Sequence, residues 1–271
     1  MGPRSPDYQL INMIPETLRK LVPGHRHCIV SLCYDDGLTS HHAEVAPLLG
    51  AHGLRATFYP HLQGRFLGEI PQWRTVAAAG HEIGNHTIFH PCYDQKWLDR
   101  TYHLRHYSPQ RWKDEIQVAN AVLRSVDRCT QRTFGNTCHD NIIGEGDKID
   151  RIDVLAQDHF IAARGVHTRR PVDFDRLNWY NLGNRGIDGC RFAELQPELE
   201  SLLQAGGWLL LTIHGVGPQE HSLNLPECEH RRLLEWLAVA QEQVWVAPVR
   251  TVAQALRQIP EQTEDSAGSS A

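Results

Sequence analysis

Two short strings combine residue types that can do metal chemistry. Tyr34-Asp35-Asp36-Gly37 sets two carboxyl side chains side by side at the end of an apolar run, and His86-Thr87-Ile88-Phe89-His90-Pro91 sets two imidazoles four residues apart. One carboxylate and two histidines make three protein ligands, which leaves open positions on a divalent ion, as a catalytic zinc site requires. The ligand types suit zinc, and also cobalt, nickel or iron. The second carboxylate is then free to act as a base. A third string, Leu211-Thr212-Ile213-His214, ends another apolar run in a histidine, whose ordinary pKa near neutrality suits proton transfer. The plain alternatives are a turn for Asp-Asp-Gly, unrelated packed and solvated histidines, and a strand-capping His214.

The elements that must position these groups follow from apolar runs alternating with helical patterns. The runs predict strands over 28–34, 55–60, 81–86, 132–136, 160–164, 208–213 and 244–247. Helical spacing predicts helices over 40–51, 72–79, 109–128, 193–205, 228–241 and 248–258. Such alternation builds a parallel sheet with helices outside it. Side chains at the carboxyl ends of several parallel strands meet at one mouth, so strings far apart in sequence can converge. The long connections 89–110 and 138–150 are of a length often used for function.

Composition narrows the partners. The chain has 271 residues, 41% hydrophobic, enough for one large domain, and its net charge of −5 with no basic block speaks against nucleic acid. No apolar stretch is long enough to span a membrane, and no secretory h-region is seen, so the expected location is cytoplasmic. Seven cysteines, an odd number without a Cys-x-x-Cys pair, argue against a disulfide framework. The division expected is an N-terminal extension over 1–27, one domain over 28–258 and a disordered tail over 259–271. The oligomeric state is not legible.

In order and spacing the three strings resemble the polysaccharide deacetylase family, also called the NodB-homology or carbohydrate esterase 4 family. Cys33 to Gly37 resembles its first motif, His86 to Pro91 its second and Leu211 to His214 its fifth. The resemblance implies a distorted (β/α) barrel that hydrolyses acetyl groups, N-acetyl above O-acetyl, on a carbohydrate. It implies Asp36, His86 and His90 as metal ligands, Asp35 as base and His214 as the acid that protonates the leaving group. The third motif, Arg-x-Pro-Tyr, is replaced by Phe134-Gly135-Asn136-Thr137-Cys138-His139, and the fourth survives only as an echo in Asp175-Arg176-Leu177-Asn178-Trp179. Arg164, closing a predicted strand, is the expected substitute for the missing arginine. Cys138, Leu211 and Trp179 are assigned with it to orienting or pocket roles. Two rival readings are a metal-independent amide hydrolase of the allantoinase-like kind and a non-catalytic carbohydrate-binding relative.

Overall fold

The computed structural model describes residues 18–218 and 220–258. Strand β1 (Cys28–Asp35) is buried along its whole length and forms the centre of the main sheet. The other strands are β2 (Thr57–Tyr59), β3 (Glu82–Ile83), β4 (Thr133–Gly135), β5 (Ala162–His167), β6 (Leu182–Gly186), β7 (Gly207–Ile213) and β8 (Val244–Val246). They run β3-β2-β1-β7-β6-β5-β4, and every pairing is parallel. β1 is long enough to use one edge twice. Cys28–Val30 pair with β8, and Cys33–Asp35 pair with β2.

The sheet curls until its ends meet. Asn85, just past β3, bridges Phe134 of β4, its N–H donating to Thr133 O at 2.9 Å and its carbonyl accepting from Gly135 N at 3.0 Å. The expected distorted barrel is thus observed, with one backbone bridge as its seam.

Alternation along the strands separates two cores. Val30, Leu32 and Tyr34 of β1 and Leu209, Leu211 and Ile213 of β7 face the outer helices. Ile29, Cys33, Trp208 and Leu210 face inward. The outer layer comprises α1 (Ala46–Ala51), α2 (Ile70–Ala78), α3 (Pro109–Asp127), α4 (Phe192–Ala205) and α5 (Glu227–Val239). α3 begins as its sequence dictates: Ser108 accepts from Arg111 N, Pro109 follows at the first helical position, and the helix ends at left-handed Arg128. α6 (Val249–Arg257) packs Val249, Val252 and Ala253 against the inward core.

Three features go beyond or against what the sequence predicts. β6 was not predicted, because Leu182-Gly183-Asn184-Arg185-Gly186 has no apolar run. Leu18 and Val22, placed in an N-terminal extension, are buried in the inward core. Cys92 and Cys138 form a disulfide where none was expected, while five cysteines remain free. The tail expected over 259–271 lies outside the described residues.

Candidate active site

β1 delivers the acidic pair. Asp36 and Gly37 both take left-handed backbone (φ 74° and 62°), which turns the chain sharply at the strand end and presents both carboxylates at the mouth. A Cβ on Gly37 would sit 2.5 Å from Pro60 Cβ, so the turn needs glycine. The Asp36 N–H donates to Tyr59 O at 3.0 Å and ties this turn to β2.

His86 and His90 come from the connection after β3. His86 Nδ1 lies 2.7 Å from Gly135 O, so it carries the proton and leaves the Nε2 lone pair free. His90 Nδ1 faces Cys92 Sγ at 3.6 Å. Asp36 Oδ1 lies 3.6 Å from His86 Nε2 and 3.2 Å from His90 Nε2. One atom from each of the three residues falls within a 4.8 Å cluster. A buried carboxylate oxygen and two imidazole nitrogens that converge with lone pairs inward repel one another unless a cation lies between them. The donor set therefore fits a divalent metal, with Gly135 O fixing one ligand's tautomer from behind.

Asp35 faces a different partner. Arg164 Nη2 donates to Asp35 Oδ2 at 2.6 Å, and both side chains are almost wholly buried. Arg164 also donates to Thr212 Oγ1 at 3.1 Å, and its guanidinium lies 5.2 Å from the centre of the Tyr59 ring. Burial pushes the Asp35 carboxyl up, but Arg164, helped by His86 and His214, holds it below the usual carboxylate range. Asp35 Oδ1 is buried with no hydrogen-bond partner, which leaves a lone pair available for a proton.

His214 leaves the end of β7. Asp188, two residues past β6, accepts from His214 N at 3.0 Å and from its Nδ1 at 2.7 Å. Burial opposes the charged ring, but Asp188 and the Asp35 carboxylate outweigh it and raise the pKa to about 9. His41 Nε2 lies 2.8 Å from the His214 carbonyl and fixes the backbone.

Asp35, Asp36, His86, His90, Asp188 and His214 line one cavity of about 490 Å³, together with Trp97, Cys138, His139, His167, Arg169, Arg185 and His221. Cys138 reaches the wall as half of the disulfide. Leu211 and Trp179 do not line the cavity. Strand parity turns Leu211 into the outer core and gives the inward position to Thr212. Trp179 packs 6.3 Å from Trp208 and beneath Arg257. The partner of His214 is Asp188 rather than any residue of the 175–179 string; the available signal was an Asp-Gly pair like that after β1.

Comparison with known proteins agrees with this fold. Residues 24–135 match the sequence model of the polysaccharide deacetylase family. The match spans the strings that carry Asp35, Asp36, His86 and His90. A Mycobacterium smegmatis protein provisionally designated a polysaccharide deacetylase shares the fold, with TM-score 0.61, 15% identity, and coverage of 89% of this chain and 94% of that one. A family 4 acetyl xylan esterase from Clostridium thermocellum, in complex with cobalt, gives TM-score 0.53 and 18% identity over 86% of this chain and 93% of that one. Bacillus subtilis peptidoglycan deacetylase gives TM-score 0.53 and 16% identity over 88% and 95%. A gellan lyase from Bacillus sp. is 26% identical over 157 residues, 58% of this chain but only 5% of that much longer relative.

Proposed function

We propose that this chain is a member of the polysaccharide deacetylase family and a metal-dependent hydrolase that removes acetyl groups, N-acetyl in preference to O-acetyl, from a carbohydrate. The observation that carries the reading is the separation of the two adjacent carboxylates. Asp36 joins two imidazoles as a ligand set, while Asp35 is held apart by Arg164. One position can then bind metal while its neighbour moves a proton.

Asp36, His86 and His90 would hold the ion, zinc being the best fit to the donors. When bound, it supplies Lewis acidity, polarising an acetyl carbonyl and making water a better nucleophile near neutral pH. Asp35 takes the proton from the attacking water. Arg164 keeps that carboxylate ionised and aimed, and the buried pair excludes bulk water. His214, protonated and gripped at Nδ1 by Asp188, presents Nε2 to the leaving nitrogen and donates its proton there. Trp97, 65% exposed beside His90, offers an apolar ring face to a sugar at the rim.

Retention of the three ligands disfavours the metal-independent amide hydrolase, and an intact base and acid disfavour a binding-only relative. The test is acetate release across a panel of N-acetylated and O-acetylated oligosaccharides with zinc present. The reading expects release, strongest from an N-acetylated member, and Asp35→Asn should lower it by about 10²–10⁴. Tight glycan binding without acetate would establish the binding-only relative instead.

A further inference from the structure

His221 belongs to none of the motifs, yet it touches both halves of the site. Its Nε2 lies 3.5 Å from Asp36 Oδ2, the oxygen turned away from His86 and His90. Its ring stacks on the His214 ring, with centroids 5.2 Å apart and planes 9° from parallel. It is absent from the group of ligand atoms formed by Asp36, His86 and His90.

The ring's polarity follows from its other nitrogen. The Leu223 N–H lies 3.0 Å from His221 Nδ1, and a ring that accepts that bond carries its proton on Nε2, on the side of the carboxylate. The Leu223 carbonyl is also 3.0 Å from Nδ1; a ring protonated at Nδ1 alone would donate there and turn a bare Nε2 toward the site, an arrangement that the cobalt spectrum of His221→Gln below separates. The loop presenting His221 is anchored on both sides. Glu220 accepts from Ser40 N at 2.9 Å, and Gly215–Val216 pair with Asn224–Leu225.

We infer that His221 is a positioning residue that pins Asp36 Oδ2, so that the metal is held through Oδ1 alone. The inference rests on the metal reading proposed above. A carboxylate free to swing can bind an ion through both oxygens and fill a position that substrate needs. With Oδ2 drawn toward the His221 ring edge 3.5 Å away, that position stays open. The stacked ring also sets the spacing between the ligand carboxylate and the general acid.

The test is zinc affinity, measured on the intact chain by competition with a chelating dye, for wild type, His221→Ala and His221→Gln. Loss of a group that orients a ligand typically weakens metal binding 10–100-fold, which is the fall expected for His221→Ala. His221→Gln, which can still present an N–H to Oδ2, should recover most of it. With cobalt as probe, the visible bands of His221→Gln should match wild type in position and intensity. Zinc affinity of His221→Ala within threefold of wild type overturns the inference. A cobalt spectrum showing one ligand lost in His221→Gln also overturns it, because His221 would then be a ligand itself. Failure of the wild-type chain to bind zinc overturns this inference and the metal reading together.

Discussion

Gly135 and Arg164 are register partners on adjacent parallel strands, and their exchange is the clearest event at the residue scale. A Cβ on Gly135 would come within 2.8 Å of Arg164 Nη2, so the guanidinium occupies the room that the missing side chain leaves. The arginine that the third motif lacks thus enters from one strand over, at the same level of the sheet. Arg164→Met should cut activity at least 100-fold and destabilise the fold by about 3–5 kcal/mol, the usual cost of orphaning one half of a buried pair. The double variant Gly135→Arg/Arg164→Gly should recover part of that activity, with Tyr59 yielding a few tenths of an ångström. Kinetics and denaturant midpoints check both; a double variant no better than Arg164→Met would mean that position, beyond charge, matters. His214 gives a pH signature. In the proposed mechanism its acid form is required, and its pKa is raised to about 9, so activity should persist through neutral pH and fall on the alkaline side. A bound cation beside Asp36 moves that limb below 9. Asp188→Asn removes the main partner that raises the pKa and should bring the limb down toward about 6.5, the unperturbed value.

At the scale of elements, the long apolar strands were readable and the polar one was not. β1 and β7 are buried from end to end, and their runs predicted both the strands and the carboxyl-terminal placement of Asp35, Asp36 and His214. β6 escaped because its inward Asn184 serves polar neighbours, donating to Gly165 O at 2.8 Å and accepting from Thr212 Oγ1 at 2.9 Å. Asp188 was lost with it. Strand parity was readable too, and it puts Thr212 rather than Leu211 on the inner face. The Cys92–Cys138 disulfide carries no spacing signal, because the closed barrel brings together cysteines 46 residues apart. It ties the His90 loop to the segment after β4, whose Gly135 carbonyl orients His86. Cys92→Ser/Cys138→Ser should therefore lower stability by about 2–4 kcal/mol. Thermal unfolding with and without a dithiol reductant checks this; an unchanged midpoint would show that the link carries no stability.

For the molecule as a whole, closure of the barrel converts scattered strings into a site. The Asn85–Phe134 bridge joins β3 to β4, and with it the connection holding His86 and His90 meets the strand whose carbonyl orients His86. The family-model match over residues 24–135 and the fold agree with that architecture, and metal dependence is the claim on which the chemistry turns. The most direct measurement is acetate release by chelator-treated protein as zinc is added back. Activity should be near zero without metal and rise to a plateau at about one zinc per chain. Acetate release that is already full in the chelated protein, and indifferent to added zinc, would contradict the assignment of Asp36, His86 and His90 as the ligands of a catalytic ion.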